Sequence, residues 1–120
     1  MGRTERGAEA EKRGRQAERL AALWLRLKGY RILARRMRTA AGEIDLIARR
    51  PFGPVCFIEV KTRSSDRAAV EAVSLRQRAR IERAAGIYLA GKKTPRGVRF
   101  DVVSIVPGRR PRHIRDAFRP

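Results

Sequence analysis

The sequence predicts an α/β domain, a central mixed β-sheet flanked by helices in the order αβββαβ. Three observations carry this. Two stretches repeat apolar residues at helical spacing, one in each half of the chain. Four stretches rich in Val, Ile, Leu and Phe are set apart by Gly- and Pro-containing turns. The length, 120 residues, suits one domain with a real core and is too short for two.

The elements follow in order. Residues 1–8, with Gly2, Gly7 and alternating charges, read as a flexible N-terminal tail ahead of a single domain over 9–120. From about Glu9 the pattern is helical, with Ala17, Leu20, Ala21, Trp24 and Leu27 on one face and Gly29 as the terminating residue. Tyr30–Arg36 reads as a strand, Thr39–Gly42 as a turn and Glu43–Ala48 as a second strand. Arg50–Pro54 holds two prolines and a glycine and reads as a turn before a third strand, Val55–Thr62. After a polar loop, Arg63–Ala68, one helix is predicted from about Val70 to Ala90. Its core stripe is Ile81, Ala84, Ala85, Tyr88 and Leu89, and Arg76, Arg80 and Arg83 make a separate basic stripe. Val98–Val106 is the fourth strand, and His113–Phe118 adds a short edge strand within a basic C-terminal segment, 107–120.

Composition narrows the function. Lys plus Arg number 30 and Asp plus Glu 12, a net charge of +18. Twenty-five of those cations are Arg, whose planar fork binds phosphate through two hydrogen bonds. Such a balance points to a polyanion, most simply nucleic acid. A lone Cys and a lone His exclude a disulfide framework and a Cys- or His-rich metal site. No apolar run approaches a membrane span, no secretory signal is visible, and no Lys-faced amphipathic helix suggests a membrane surface, so the expected location is cytoplasmic.

Against this basic background three acids inside strands stand out: Glu43, Asp45 and Glu59. By strand alternation Glu43, Asp45 and Ile47 share one face of the second strand, and Ile44, Leu46 and Ala48 the other. A hairpin centred on Phe52 pairs residues whose numbers sum to 104. That sets Asp45 opposite Glu59 and Glu43 opposite Lys61, with directly facing side chains ~5 Å apart. Two carboxylates so placed repel, and the repulsion is relieved by a divalent cation, a shared proton or full exposure. A hard cation such as Mg²⁺ fits two carboxylates and water, and two acids with a lysine around a metal suit phosphodiester hydrolysis. The plainer alternative is a half-exposed strand stitched by a Glu43–Lys61 pair. Glu18, at the edge of the first helix's apolar face, is a further acid within reach of the sheet's rim, with a surface pair to Arg15 or Arg19 as its plainer role.

The strings Gly42-Glu43-Ile44-Asp45-Leu46-Ile47-Ala48 and Phe57-Ile58-Glu59-Val60-Lys61-Thr62-Arg63 resemble the YraN family, small bacterial proteins of the PD-(D/E)XK nuclease superfamily. They are similar also to archaeal Holliday junction resolvases, which share that superfamily's fold. Gly14–Glu18, Gly29–Leu33, Glu71–Val73, Arg80-Ile81 and Arg99–Val103 extend the resemblance over most of the chain. The resemblance implies a restriction-endonuclease-like fold. It implies that Asp45 and Glu59, with the Val60 carbonyl, bind Mg²⁺ or Mn²⁺, that Lys61 is catalytic, and that Glu18 completes the site. The family often carries Lys where this chain has Gln77, and Asn followed by an aromatic residue where it has Arg36-Met37. The expected function is a Mg²⁺-dependent endonuclease on branched or otherwise structured DNA, acting as a homodimer on a two-fold junction. Arg63, Arg76, Gln77, Arg80, Arg83, Arg109, Arg110, Arg112 and Arg115 are the expected nucleic-acid contacts. The alternative is a non-catalytic, basic nucleic-acid-binding module on the same fold, since a fold and a site do not guarantee turnover.

Overall fold

The computed structural model describes residues 5–119, with side chains described from Gly7. Helix α1 (Glu5–Leu27) leads into three antiparallel strands, β1 (Arg31–Thr39), β2 (Gly42–Arg49) and β3 (Val55–Thr62). Helices α2 (Asp66–Glu71) and α3 (Leu75–Leu89) then cross over to β4 (Val98–Ile105), which pairs parallel to β3, and β5 (Arg112–Phe118) returns antiparallel. The strands lie in the order β1-β2-β3-β4-β5. This is the predicted mixed sheet flanked by helices, compatible with a restriction-endonuclease-like fold.

One core layer lies under α1, where Ala21, Ala22 and Leu25 pack on Leu46, Ala48, Cys56, Ile58 and Val103. The other lies under α3, where Ile81, Ala84 and Ala85 pack on Ile47, Phe57, Phe100 and Val102. Covered on both faces, β3 reads as an unbroken buried run from Val55 to Glu59, as a central strand should. Its single thiol, Cys56, is fully buried. Among the described residues no helix is long and apolar enough to cross a membrane.

Four expectations need correction. The first helix begins at Glu5, so residues 5–8 are helical; the rest of the predicted tail, residues 1–4, lies outside the described residues. Its buried face is the predicted one only in part: Ala17 and Ala21 pack on the sheet as expected, but Leu20 and Leu27 are exposed, and Ala22 and Leu25 are buried in their place. The alanines let the helix approach the sheet closely, and Leu25 fills the remaining space. The single helix predicted over 70–90 is two. Ser65 accepts a hydrogen bond from the Ala68 N–H and Ser74 from the Gln77 N–H, so each caps a separate helix.

The fourth concerns strand alternation. Ile44 packs in the α3 layer together with Ile47, three residues away, whereas Leu46 and Ala48 pack under α1. Ile44 therefore does not share a face with Leu46. On β1 the same skip separates Ala34 and Met37, both packed in the α3 layer. Between them Arg36 has φ 49°, in the left-handed region. The pairs Arg35–Leu46 and Met37–Ile44 flank the skip, so Arg36 and Asp45 stand opposite each other at it.

Candidate active site

The β2–β3 register is the predicted one: Leu46, Ile47 and Ala48 pair with Ile58, Phe57 and Cys56, each pair summing to 104. The ladder stops at Leu46–Ile58, where β2 turns away at the Asp45 skip. The Asp45 carboxylate fills the gap, its Oδ2 accepting from the Val60 N–H at 2.8 Å. A strand residue's N–H and C=O project to the same edge, so the Val60 carbonyl opens on this gap too. Glu59, on the adjacent position, is 6% exposed. Its Oε2 accepts from Gln77 Nε2 at 2.5 Å. Gln77 stands in the first turn of α3, held there by the Ser74 cap.

Burial pushes the Glu59 carboxyl up to about 9; a hydrogen bond and the charge of Asp45 push the same way, and Lys61 opposes them. Folded Glu59 thus keeps a proton that the unfolded chain releases near 4.5. In the absence of divalent ions, stability therefore falls as pH rises between about 4.5 and about 9, with a slope approaching ~1.4 kcal/mol per pH unit. Glu59→Gln, which mimics the protonated form, is expected to flatten that slope. Urea titrations in EDTA at pH 5, 7 and 9 check this, and parallel curves for parent and variant would refute it.

Asp45, Glu59, Val60 and Lys61 line one cavity of about 820 Å³ together with Glu18, Gln77 and Arg63. Glu18 reaches it because α1 turns this side of the helix inward. Its carboxylate is committed: Arg36 Nε donates to Glu18 Oε2 at 2.5 Å. That hydrogen bond raises the guanidinium's pKa despite opposing desolvation. Neither Arg15 nor Arg19 is the partner, and nothing in the strand pattern of Arg36 announced it; only its left-handed backbone explains how it reaches α1. Among the described residues no three His, Cys, Asp or Glu side chains form a group able to hold an ion by themselves.

The remaining candidates divide. Glu43 is exposed and pairs with Arg38 across β1 at 3.6 Å, not with Lys61, because the β2–β3 ladder ends before it. Arg76, Arg80 and Arg83 are exposed on α3 outside the cavity, with Arg80 beside the Gly42 turn. Arg109 and Arg110 are exposed just beyond Pro107, which lines the cavity, whereas Arg112 pairs with Asp66 at 3.4 Å. Arg115 lies elsewhere, lining a separate small cavity with Lys28 and Arg50.

Sequence reasoning overlooked two strand acids, Asp101 and Asp116. Asp101 is fully buried and accepts two hydrogen bonds from Arg99, at 2.8 and 2.9 Å. It also accepts one from His113 Nε2 at 2.7 Å and one from the Asp116 N–H at 2.9 Å. Arg99 continues to the Tyr30 hydroxyl at 3.0 Å. Asp116 has φ 55° within the irregular stretch of β5 opposite Asp101. The signal available in the sequence was an acid amid an apolar strand run, the same one that drew attention to Glu59.

The profile of the family described as "Uncharacterised protein family UPF0102" matches residues 17–105. A UPF0102 protein of Paramagnetospirillum magneticum is 52% identical over 116 residues, covering 92% of this chain and 89% of the relative. One of Agrobacterium fabrum is 47% identical over 119 residues, covering 98% and 97%. One of Caulobacter is 50% identical over 115 residues, covering 94% and 82%. By both the profile and these near full-length relatives, the chain belongs to the UPF0102 (YraN) family.

Proposed function

We propose that the protein is a divalent-metal-dependent endonuclease acting on branched or otherwise structured DNA. The observation that carries this reading is the convergence of Asp45 and Glu59 with Lys61 in one cavity of a +18 chain. The residues fit a hard cation. Burial, with the neighbouring Asp45 carboxylate, pushes Glu59 up to about 9, and a divalent ion would offset both. Asp45, Glu59 and the Val60 carbonyl would hold the ion, all with oxygen donors. When bound, a divalent ion acidifies a water and offsets phosphate charge.

The chain's own groups supply the rest. Gln77 fixes the Glu59 carboxyl by its 2.5 Å hydrogen bond and so sets which oxygen faces the cavity. Lys61 lines the same cavity, where its ammonium would orient a water or bind a phosphate oxygen. Arg36 holds Glu18 at the wall, leaving that acid a positioning role. Arg63, Arg109 and Arg110 at the same end of the sheet offer phosphate contacts, and two copies would serve the two strands of a junction. The test is a cleavage panel of duplex, single-strand, flap and four-way junction DNA with Mn²⁺. Cutting of a structured substrate by the parent supports the reading; an intact panel refutes it.

A second reading, a binding module without turnover, is favoured by one observation: Glu18 is tied to Arg36, and the described residues include no three-ligand group. It predicts no calorimetric heat on adding Mg²⁺ or Mn²⁺ to the protein alone. Under either reading the exposed α3 stripe meets phosphate. Arg80→Ala with Arg83→Ala is expected to weaken DNA binding and lower the salt slope by about one for each phosphate no longer neutralised. An unchanged slope would remove α3 from the interface.

A further inference from the structure

We propose that the Arg50–Pro54 turn and the Thr94–Gly97 loop form a slot for an unpaired nucleobase. Phe52 is its stacking face, and Arg49 and Arg96 receive the adjoining phosphates. This inference rests on the endonuclease reading only in taking the ligand to be nucleic acid, and it adds the structural feature that would mark the substrate.

Phe52 is 84% exposed, the most exposed of the large hydrophobic side chains among the described residues. It also has φ 62°, a conformation in which a bulky residue is an outlier and which Gly or Asn adopts at less strain. The turn needs neither an aromatic ring nor a strained one; such outliers persist at functional sites. Beside the ring lies a cavity of about 490 Å³ whose walls include Pro51, Val55 and Pro95, with Arg49 and Arg96 at its rim. The two walls are fixed to each other by the hydrogen bond from the Val55 N–H to the Gly97 carbonyl at 3.0 Å. The turn itself is closed by the Gly53 N–H on the Arg50 carbonyl at 3.0 Å.

Charge selects the occupant. The ionisable groups lining the slot are both arginines, and neither pairs with a carboxylate among the described residues. A second copy of a +18 chain would bring like charge to it. A nucleobase offers a flat π face to Phe52 and the prolines, and its backbone offers the anion the arginines lack. The slot is also distinct from the acid cavity: Val55 and Glu59 are four residues apart on β3, roughly 13 Å.

The test is run in EDTA with parent and Phe52→Asn proteins, so that it is independent of cleavage. The probes are a thymidine oligonucleotide carrying one 2-aminopurine, its RNA counterpart and a blunt duplex. Stacking predicts quenching of 2-aminopurine by the parent. It also predicts about tenfold weaker single-strand binding by Phe52→Asn with duplex affinity unchanged, as expected for removal of one base–aromatic stack. Phe52→Trp restores both. Quenching of either polymer through Phe52 upholds the slot, and the stronger of the two names the polymer. Arg49→Gln with Arg96→Gln, which leaves the turn intact, is expected to lower the single-strand salt slope while quenching persists at saturation. Equal losses on single strand and duplex, quenching that survives Phe52→Asn, or a Phe52 effect confined to self-association would each overturn the slot alone. A parent protein that binds no DNA would overturn the endonuclease reading itself, whether or not the RNA arm binds.

Discussion

Asp101→Ala is expected to destabilise the protein by about 3–5 kcal/mol, the usual consequence of removing one partner from a buried ion network. In a domain of this size that lowers the melting temperature by roughly 10–20 °C. The reason lies in what the carboxylate satisfies at once. It takes both arms of the Arg99 fork, the ring of His113, which is 3% exposed, and the Asp116 N–H where β5 departs from its ladder. Without it, His113 loses its acceptor, Arg99 keeps only the Tyr30 hydroxyl, and the β4–β5 irregularity loses its tie. Burial alone would push the Asp101 carboxyl up, but the hydrogen bonds from His113, Arg99 and Asp116 together hold it below its ordinary 3.8. Its contribution is therefore complete at neutral pH and is lost as pH falls below about 4 toward that depressed value. Urea unfolding at pH 7 measures the loss; a change under about 1 kcal/mol would mean that water replaces the network without penalty. Asp101→Asn keeps the shape and one acceptor, and separates charge from packing.

Asp45→Asn and Glu59→Gln are expected to lower cleavage by about a thousandfold or more, with the fold retained. Charge neutralisation around a transferring phosphate is worth several kcal/mol, and each ~1.4 kcal/mol is tenfold in rate. The two variants should also abolish the heat of Mn²⁺ binding to the protein alone. They differ in one respect. Asp45→Asn removes the neighbouring charge that helps push Glu59 up, so Glu59 should ionise at lower pH in that variant. Cleavage by either variant at the parental rate would refute the assignment. No ion binding and no cleavage by the parent would favour the binding-module reading.

Much of this arrangement was legible because it depends on short-range rules. The Arg50–Pro54 turn set the β2–β3 register, and alternation along β3 placed Glu59 and Lys61 on the same face as Phe57. The α3 stripe of Ile81, Ala84 and Ala85 followed from spacing alone. What escaped depends on side chains bridging elements far apart in the chain. Periodicity counted Leu20 and Leu27 as core, whereas the sheet accepted the alanine side of α1 and so carried Glu18 inward. Alternation assumed an unbroken ladder, whereas Arg36 in a left-handed conformation shifts Ile44 to the other layer and frees Asp45 to meet Val60. The break between α2 and α3 was signalled only by Ser74, whose capping role depends on where the chain turns. Asp101 and its partners join β4 to β5 and to Tyr30, contacts that no local pattern encodes.

The position of Cys56 has a practical consequence. It is the chain's only thiol, lies at the middle of the sheet with its Sγ 3.5 Å from the Pro54 carbonyl, and is pushed by burial up to about 12. A thiol-reactive dye at neutral pH meets almost no thiolate in the closed state, so labelling proceeds through molecules whose central strand has opened. The native chain thus carries its own single-site clock for breathing of the β-sheet, readable without engineering a reporter.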